Sequence, residues 1–280
     1  MRAALTLLRF IGWTLLLGPV QFLLLVVGAG AAARLPLVYH RGVCRILGIK
    51  VATYGKQSAA RPALFACNHT SYLDIVVLGS LIEGSFVAKA EVRGWPLFGW
   101  LARLQRTVFV ERRISRTKEQ SAAMRRRLET GERLILFPEG TSSDGNRVLP
   151  FKSTFFALAE DAVRGEWLTV QPVSIAYTKL DDMPMGRFYR PYYAWYGDMD
   201  LAAHLWTMMG LGRATVEVEY HEPVTIERFG SRKALAAHCQ AAVARGVATA
   251  LAGRTMPPRR RRFLRRRSRL AANHGEASSA

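Results

Sequence analysis

His69 and Asp74 stand five residues apart in the segment NHTSYLD, residues 68–74. A carboxylate held against one imidazole nitrogen fixes the ring's tautomer and leaves the other nitrogen as a base for a hydroxyl proton. The pair amounts to a serine-protease-like dyad without its serine, so the hydroxyl it acts on would belong to a substrate. On an ideal helix five residues turn through about 140°, and the two side chains would face different ways. His69 therefore has to lie in a turn, or in a distorted first turn, for Asp74 to reach it. As a bare pattern, H-x4-D is weak and fits a structural histidine equally well.

Further blocks carry chemistry of their own. Residues 133–137, RLILF, form a strand-like run that ends in PEGTSSDG, residues 138–145, a turn rich in glycine and hydroxyls. Such a turn can present N–H groups to an anion, and Lys152 lies just beyond it, although a plain surface loop has the same composition. Residues 108–113, VFVERR, read as a short strand ending in guanidinium groups suited to phosphate, or as an edge strand with an exposed arginine pair. Residues 62–67, PALFAC, read as a buried strand that delivers His69 at its end. The mostly apolar run 75–82 continues as a helix, and 170–177 forms another core strand. A strand-to-helix turn is a common location for reactive groups in α/β folds.

These four blocks, in this order, resemble the glycerolipid acyltransferase family across about residues 60–225. The pairing of NHTSYLD with FPEGTSS carries most of the likeness. Linking stretches, FVAK at 86–89, WPLFG at 95–99 and DGNR at 144–147, resemble the bacterial 1-acylglycerol-3-phosphate acyltransferase branch, and equally the enzymes that acylate lyso-ornithine lipid. The resemblance implies an α/β fold in which an N-terminal membrane helix or helical hairpin precedes a mixed sheet flanked by helices. It implies His69 as base and Asp74 as its orienting partner, with Arg112, Glu139, Gly140, Thr141 and Lys152 binding the acceptor. The implied reaction moves a fatty acyl group from acyl-CoA or acyl-carrier protein to the free hydroxyl of 1-acylglycerol-3-phosphate, giving phosphatidic acid, with lyso-ornithine lipid as the alternative acceptor. The thioester is a cosubstrate, and neither a cofactor nor a metal is expected. Arg106 and Thr154 stand where the family often has glycine.

Composition agrees with this reading. The chain has 280 residues, half of them hydrophobic, and a formal net charge of +19. The charge sits at the ends: eight Lys or Arg precede the first carboxylate, Asp74, and residues 254–280 hold nine Arg against one Glu, while 74–253 are nearly neutral. A nucleic-acid binder usually carries its basic surface on the folded reading domain, so an anionic membrane is the better partner here. Phe10 begins a run of 24 residues without a charge, bounded by Arg9 and Arg34 and long enough to cross a bilayer. Gly18 and Pro19 could instead bend it back. Its length disfavours a signal peptide, and Pro36 rules out a dinucleotide-binding reading of GAGAAA at 28–33.

Basic residues are denser after this run than before it, which predicts an inner-membrane protein with its catalytic domain in the cytoplasm. The expected organisation is a membrane-associated segment over 1–58, an α/β domain over 59–253 and an arginine-rich tail over 254–280. The tail suits anionic lipid or an acidic acyl-carrier protein. Residues 188–211 carry aromatics fit either for a headgroup layer or for a core. Three scattered cysteines support neither a disulfide framework nor a zinc site. The lack of a G-x-S-x-G elbow weighs against a lipase.

Overall fold

The computed structural model describes residues 1–110 and 117–253 of the chain. Its centre is a mixed sheet of eight strands: β1 (Ile49–Gly55), β2 (Ala63–Cys67), β3 (Ser85–Lys89), β4 (Val108–Val110), β5 (Arg133–Leu136), β6 (Thr169–Leu180), β7 (Met183–Pro184) and β8 (Ala214–Tyr220). The spatial order is β1-β8-β6-β2-β5-β3-β4, with β7 paired to β6 beside this path. The strands from β6 to β4 run parallel, while β8 pairs antiparallel with β6 and carries β1 parallel to itself at the edge. Strand β1 precedes residue 59, so the sheet draws its edge from chain that the sequence reading assigned to the membrane-associated segment.

Strand β2 is buried at all five positions, as a central parallel strand covered on both faces should be. Its side chains alternate between two cores. Ala63, Phe65 and Cys67 join Val173, Ile175 and Val218 on one face, under α3 (Leu73–Gly79) and α2 (Leu35–Leu47). Leu64 and Ala66 join Leu134, Leu136 and Val170 on the other, against α7 (Arg232–Leu251). Shorter helices complete the domain: α4 (Phe98–Leu104), α5 (Thr117–Glu129) and α6 (Leu201–Gly210).

The parallel pairing of β2 with β5 is what builds the site. Ala66 pairs with Leu136, so the two strands leave the sheet at the same level and their following loops emerge side by side. Residues 68–72 and 137–147, which are 65 or more positions apart in sequence, thereby face each other at the carboxyl ends of parallel strands.

Helix α1 (Arg2–Val26) runs unbroken through Pro19, and the chain then turns so that α2 packs back on it: the hairpin form of the expected N-terminal segment. Its polarity is the reverse of an ordinary surface helix. Thr6, Thr14, Gly18 and Gln21 are buried, whereas Leu8, Leu15, Leu16, Phe22 and Leu23 are exposed. Polar groups of the inward stripe bond to neighbouring elements, while Gln21 Oε1 is buried without a partner. Gln21 Nε2 donates to Ala32 O and Leu104 O, Thr14 bonds Phe10 O and Tyr39 OH, and Trp13 Nε1 donates to Tyr39 O. Gly18 lets Trp100 approach to where a Cβ would be 2.7 Å from it. The outward face is left to an apolar surrounding, and the helix is long and apolar enough to cross a membrane.

Candidate active site

His69 lies in the turn between β2 and α3, two residues beyond the strand and four before the helix, which resolves the five-residue spacing. Its Nδ1 stands 2.9 Å from Asp74 Oδ2. Asp74 is completely buried, and further donors converge on it: Thr70 N at 2.7 Å and Ser71 N at 2.9 Å on Oδ2, and Tyr177 OH at 2.9 Å on Oδ1. The turn thus wraps its own N–H groups around the carboxylate, as an N-terminal helix turn does for an acidic residue. Burial first, then the neighbouring Asp74 charge, pushes the Tyr177 phenol well above its ordinary value, so it remains a donor. With Nδ1 committed to Asp74, Nε2 is the nitrogen left for chemistry, on a side chain that is 22% exposed.

The second loop holds the first. Glu139 Oε1 accepts from His69 N at 2.8 Å and Oε2 from Leu149 N at 3.0 Å, while Ser143 N donates to His69 O at 2.9 Å. Phe137 stacks on the imidazole at 4.1 Å between ring centres, with the planes 16° apart. Asn68 carries the β2–β6 ladder past the end of β2, since its amide bonds Ile175 N at 2.8 Å and Ile175 O at 3.0 Å. Burial outweighs the two N–H bonds to Glu139 and raises its carboxyl to about 8. Gly140, at φ 69°, makes the tight turn that a side chain would strain, and its missing Cβ leaves room for Lys152 Nζ to lie across it.

Five of the seven residues singled out from sequence therefore gather here: His69, Asp74, Glu139, Gly140 and Lys152. Thr141 sits exposed on the same loop. Arg112 lies outside the described residues. Sequence reasoning missed Tyr177, Asn68 and Phe137. Asn68 opens the NHTSYLD block and Phe137 opens FPEGTSS, so both lay inside recognised motifs with no role assigned to them, and Tyr177 was the last residue of a core strand.

A family model described as Acyltransferase matches residues 49–176. The lyso-ornithine lipid O-acyltransferase of Brucella abortus is 44% identical over 260 residues, covering 91% of this chain and 97% of that protein. The chain belongs to the acyltransferase family. The 1-acyl-sn-glycerol-3-phosphate acyltransferase of Neisseria meningitidis is 33% identical over 183 residues, which are 64% of this chain and 68% of that protein. The crystal structure of the 1-acyl-sn-glycerophosphate acyltransferase PlsC from Thermotoga maritima aligns with a TM-score of 0.63 at 25% identity, covering 92% of this chain and all of that one. The acyltransferase thus shares both the fold and the chain-long sequence pattern of enzymes that act on lysolipids. The exposed apolar face of α1 agrees with membrane association.

Among the described residues no side-chain hydroxyl or thiol is hydrogen-bonded to His69 Nε2 as an activated nucleophile would be. Cys67 is the nearest thiol in sequence, but it is fully buried, and burial followed by the Asp74 charge keeps it protonated. Arg106, noted above for replacing a glycine, has φ 64°, a left-handed conformation that glycine adopts at no steric cost, and its guanidinium pairs with Glu132.

Proposed function

We propose that this acyltransferase moves a fatty acyl group from a thioester, acyl-CoA or acyl-carrier protein, to the free hydroxyl of lyso-ornithine lipid. His69 Nε2 takes the hydroxyl proton as the oxygen attacks the thioester carbonyl. The tetrahedral intermediate then collapses, the carbon–sulfur bond breaks, and the imidazolium returns the proton to the departing thiolate. Asp74 holds the tautomer and stabilises the imidazolium. Direct transfer fits a dyad with no adjacent nucleophile. Lys152, Thr141 and Arg112 supply donors for the acceptor. Glu139, with each oxygen taken by a main-chain N–H, serves as a positioning residue for His69.

The observation that carries the choice of acceptor is the 44% identity along nearly the whole length of a lyso-ornithine lipid O-acyltransferase. The Neisseria relative and the PlsC fold favour a second reading, 1-acylglycerol-3-phosphate going to phosphatidic acid by the same mechanism. Purified protein offered both acceptors with one labelled thioester separates them. Ornithine lipid as the preferred product supports the first, and phosphatidic acid formed at higher kcat/KM overturns it. We further propose that the outward face of α1 anchors the enzyme on the inner membrane with the site facing the cytoplasm. The basic residues Arg34, Arg41, Arg45 and Lys50, which follow α1, support that orientation.

A further inference from the structure

Beside the dyad, and containing neither of its members, lies a polar cavity of about 370 Å³ lined by Asp144, Asn146, Arg147, Arg187 and Arg190. That is the small end of the range for small-molecule sites, about 300–1,000 Å³. Both walls are tied to the residues around His69. From the first wall, Ser143 N donates to His69 O, and Gly145 packs so closely on Thr70 that an added Cβ would stand 3.0 Å from Thr70 Cγ2. From the second, Trp195 N donates to Thr70 O at 3.0 Å, and Ser142 Oγ bonds Trp195 O to join the two walls. A group held in the cavity is therefore held against the turn that carries His69.

The charges in this cavity are mixed. Arg147, Arg187 and Arg190 face a single carboxylate, Asp144. Partial burial opposes its ionisation, but the N–H groups of Asn146 and the charges of Arg147 and Arg187 prevail and hold Asp144 below the ordinary carboxylate range. Arg190 is anchored through Nη1 on Asn146 Oδ1, which fixes the plane of its fork, while its Nε is buried without a partner. A site built only for phosphate gains nothing from an ionised carboxylate in its lining, which repels the ligand. A head group with one carboxylate and one ammonium finds a complement for each, and guanidinium groups suit the carboxylate through paired N–H donors.

We propose that this cavity is the acceptor head-group subsite and takes a zwitterion, with Arg187 and Arg190 on its carboxylate and Asp144 on its ammonium. The inference rests on the lyso-ornithine reading: an ornithine joined to its chain through the α-amine keeps a free carboxylate and a side-chain ammonium. It makes Asp144, near the end of the PEGTSSDG turn, and Arg187 and Arg190, outside the sequence motifs, specificity-determining residues. Arg187 is exposed, so its truncation leaves the packing of the domain alone.

The test uses the full-length protein in detergent and two readouts. Binding of Nα-acetylornithine, followed by ligand-observed NMR, is lost in Arg187→Ala, and wild type fails to bind the methyl ester. Asp144→Asn weakens binding of Nα-acetylornithine to the level of Nα-acetylnorvaline, which lacks the amine. In turnover, Arg187→Ala raises KM for lyso-ornithine lipid about tenfold to a hundredfold, as removal of a charge-assisted bond does, and leaves the thioester KM unchanged. The proposal is overturned if the thioester KM rises instead, which assigns the arginines to the donor's phosphates. It is equally overturned if wild type binds Nα-acetylnorvaline as tightly as Nα-acetylornithine, or if inorganic phosphate binds in preference to both. Wild type that fails to acylate lyso-ornithine lipid, while Nα-acetylornithine binding still depends on Arg187 and Asp144, removes the proposed reaction and leaves the subsite standing.

Discussion

Tyr177→Phe isolates what the buried end of the dyad contributes. The substitution removes one oxygen and preserves the ring, which stacks on Tyr193 at 5.8 Å. It leaves Asp74 Oδ1 without its 2.9 Å donor at a position with no solvent access. A hydrogen bond to a charged group is worth about 1.5–3 kcal/mol, an upper bound of roughly tenfold to a hundredfold if all of it appears in the transition state. The bound is not reached, because the oxygen that meets His69 is Oδ2, which keeps Thr70 N and Ser71 N. The expected loss is therefore about tenfold in kcat with both KM values unchanged. Asp74→Asn presents the ring with the wrong partner and costs on the order of 10⁴, the scale set by the corresponding change in serine proteases. Since Tyr177 acts only through Asp74, the double variant should be no slower than Asp74→Asn alone. Steady-state assays of the four proteins complete the cycle. Additive losses, or a Tyr177→Phe effect confined to KM, would refute the relay.

Other outcomes follow from the same structure. Glu139 has a folded-state value of about 8 against an ordinary 4.5, so its protonated form favours folding, with a contribution complete below pH 4.5 and lost as pH rises through about 8. Thermal melts should show wild type losing more stability than Glu139→Gln between pH 6 and 8.5; parallel curves would contradict that environment. Paired changes Phe22→Asp and Leu23→Asp on the outward face of α1 should lower partitioning into anionic vesicles by at least about tenfold, because each side chain forfeits about 1.5–3 kcal/mol of burial in lipid. Detergent activity should persist, and unchanged vesicle binding would remove α1 from the membrane contact. Gly42→Ala would drive a Cβ to 2.3 Å from the Trp13 ring, so denaturation should report a loss of about 1–3 kcal/mol from overpacking of the α1–α2 hairpin. Wild-type stability in this variant would mean the hairpin yields freely.

The dyad was legible through the resemblance carried by NHTSYLD and FPEGTSS, and helix geometry added where His69 must lie: five residues cannot share a helix face, so it had to precede the helix, and α3 indeed begins at Leu73. The strands around it were legible from short apolar runs. Strand pairing was not. That β2 and β5 run parallel in matched register, and so bring Glu139 to the backbone of His69, depends on contacts 70 residues apart. Tyr177 was hidden for the same reason, since a fully buried strand shows no periodicity by which to single out one polar tip. In α1 the high apolar content masked the inward stripe of Thr6, Thr14 and Gln21, although its spacing of seven or eight residues was present in the sequence. Strand β1 fell within the expected membrane-associated segment because an edge strand with one face covered has too few apolar residues to stand out.

The central claim is that His69 is the base in acyl transfer to a lysolipid hydroxyl. Its most direct test is single-turnover transfer of a labelled acyl group from a thioester to lyso-ornithine lipid by wild type and His69→Ala, with matched melting curves. The account predicts a fall of at least about 10²–10⁴ in the transfer rate with melting unchanged. Transfer at the wild-type rate by the folded variant would contradict it.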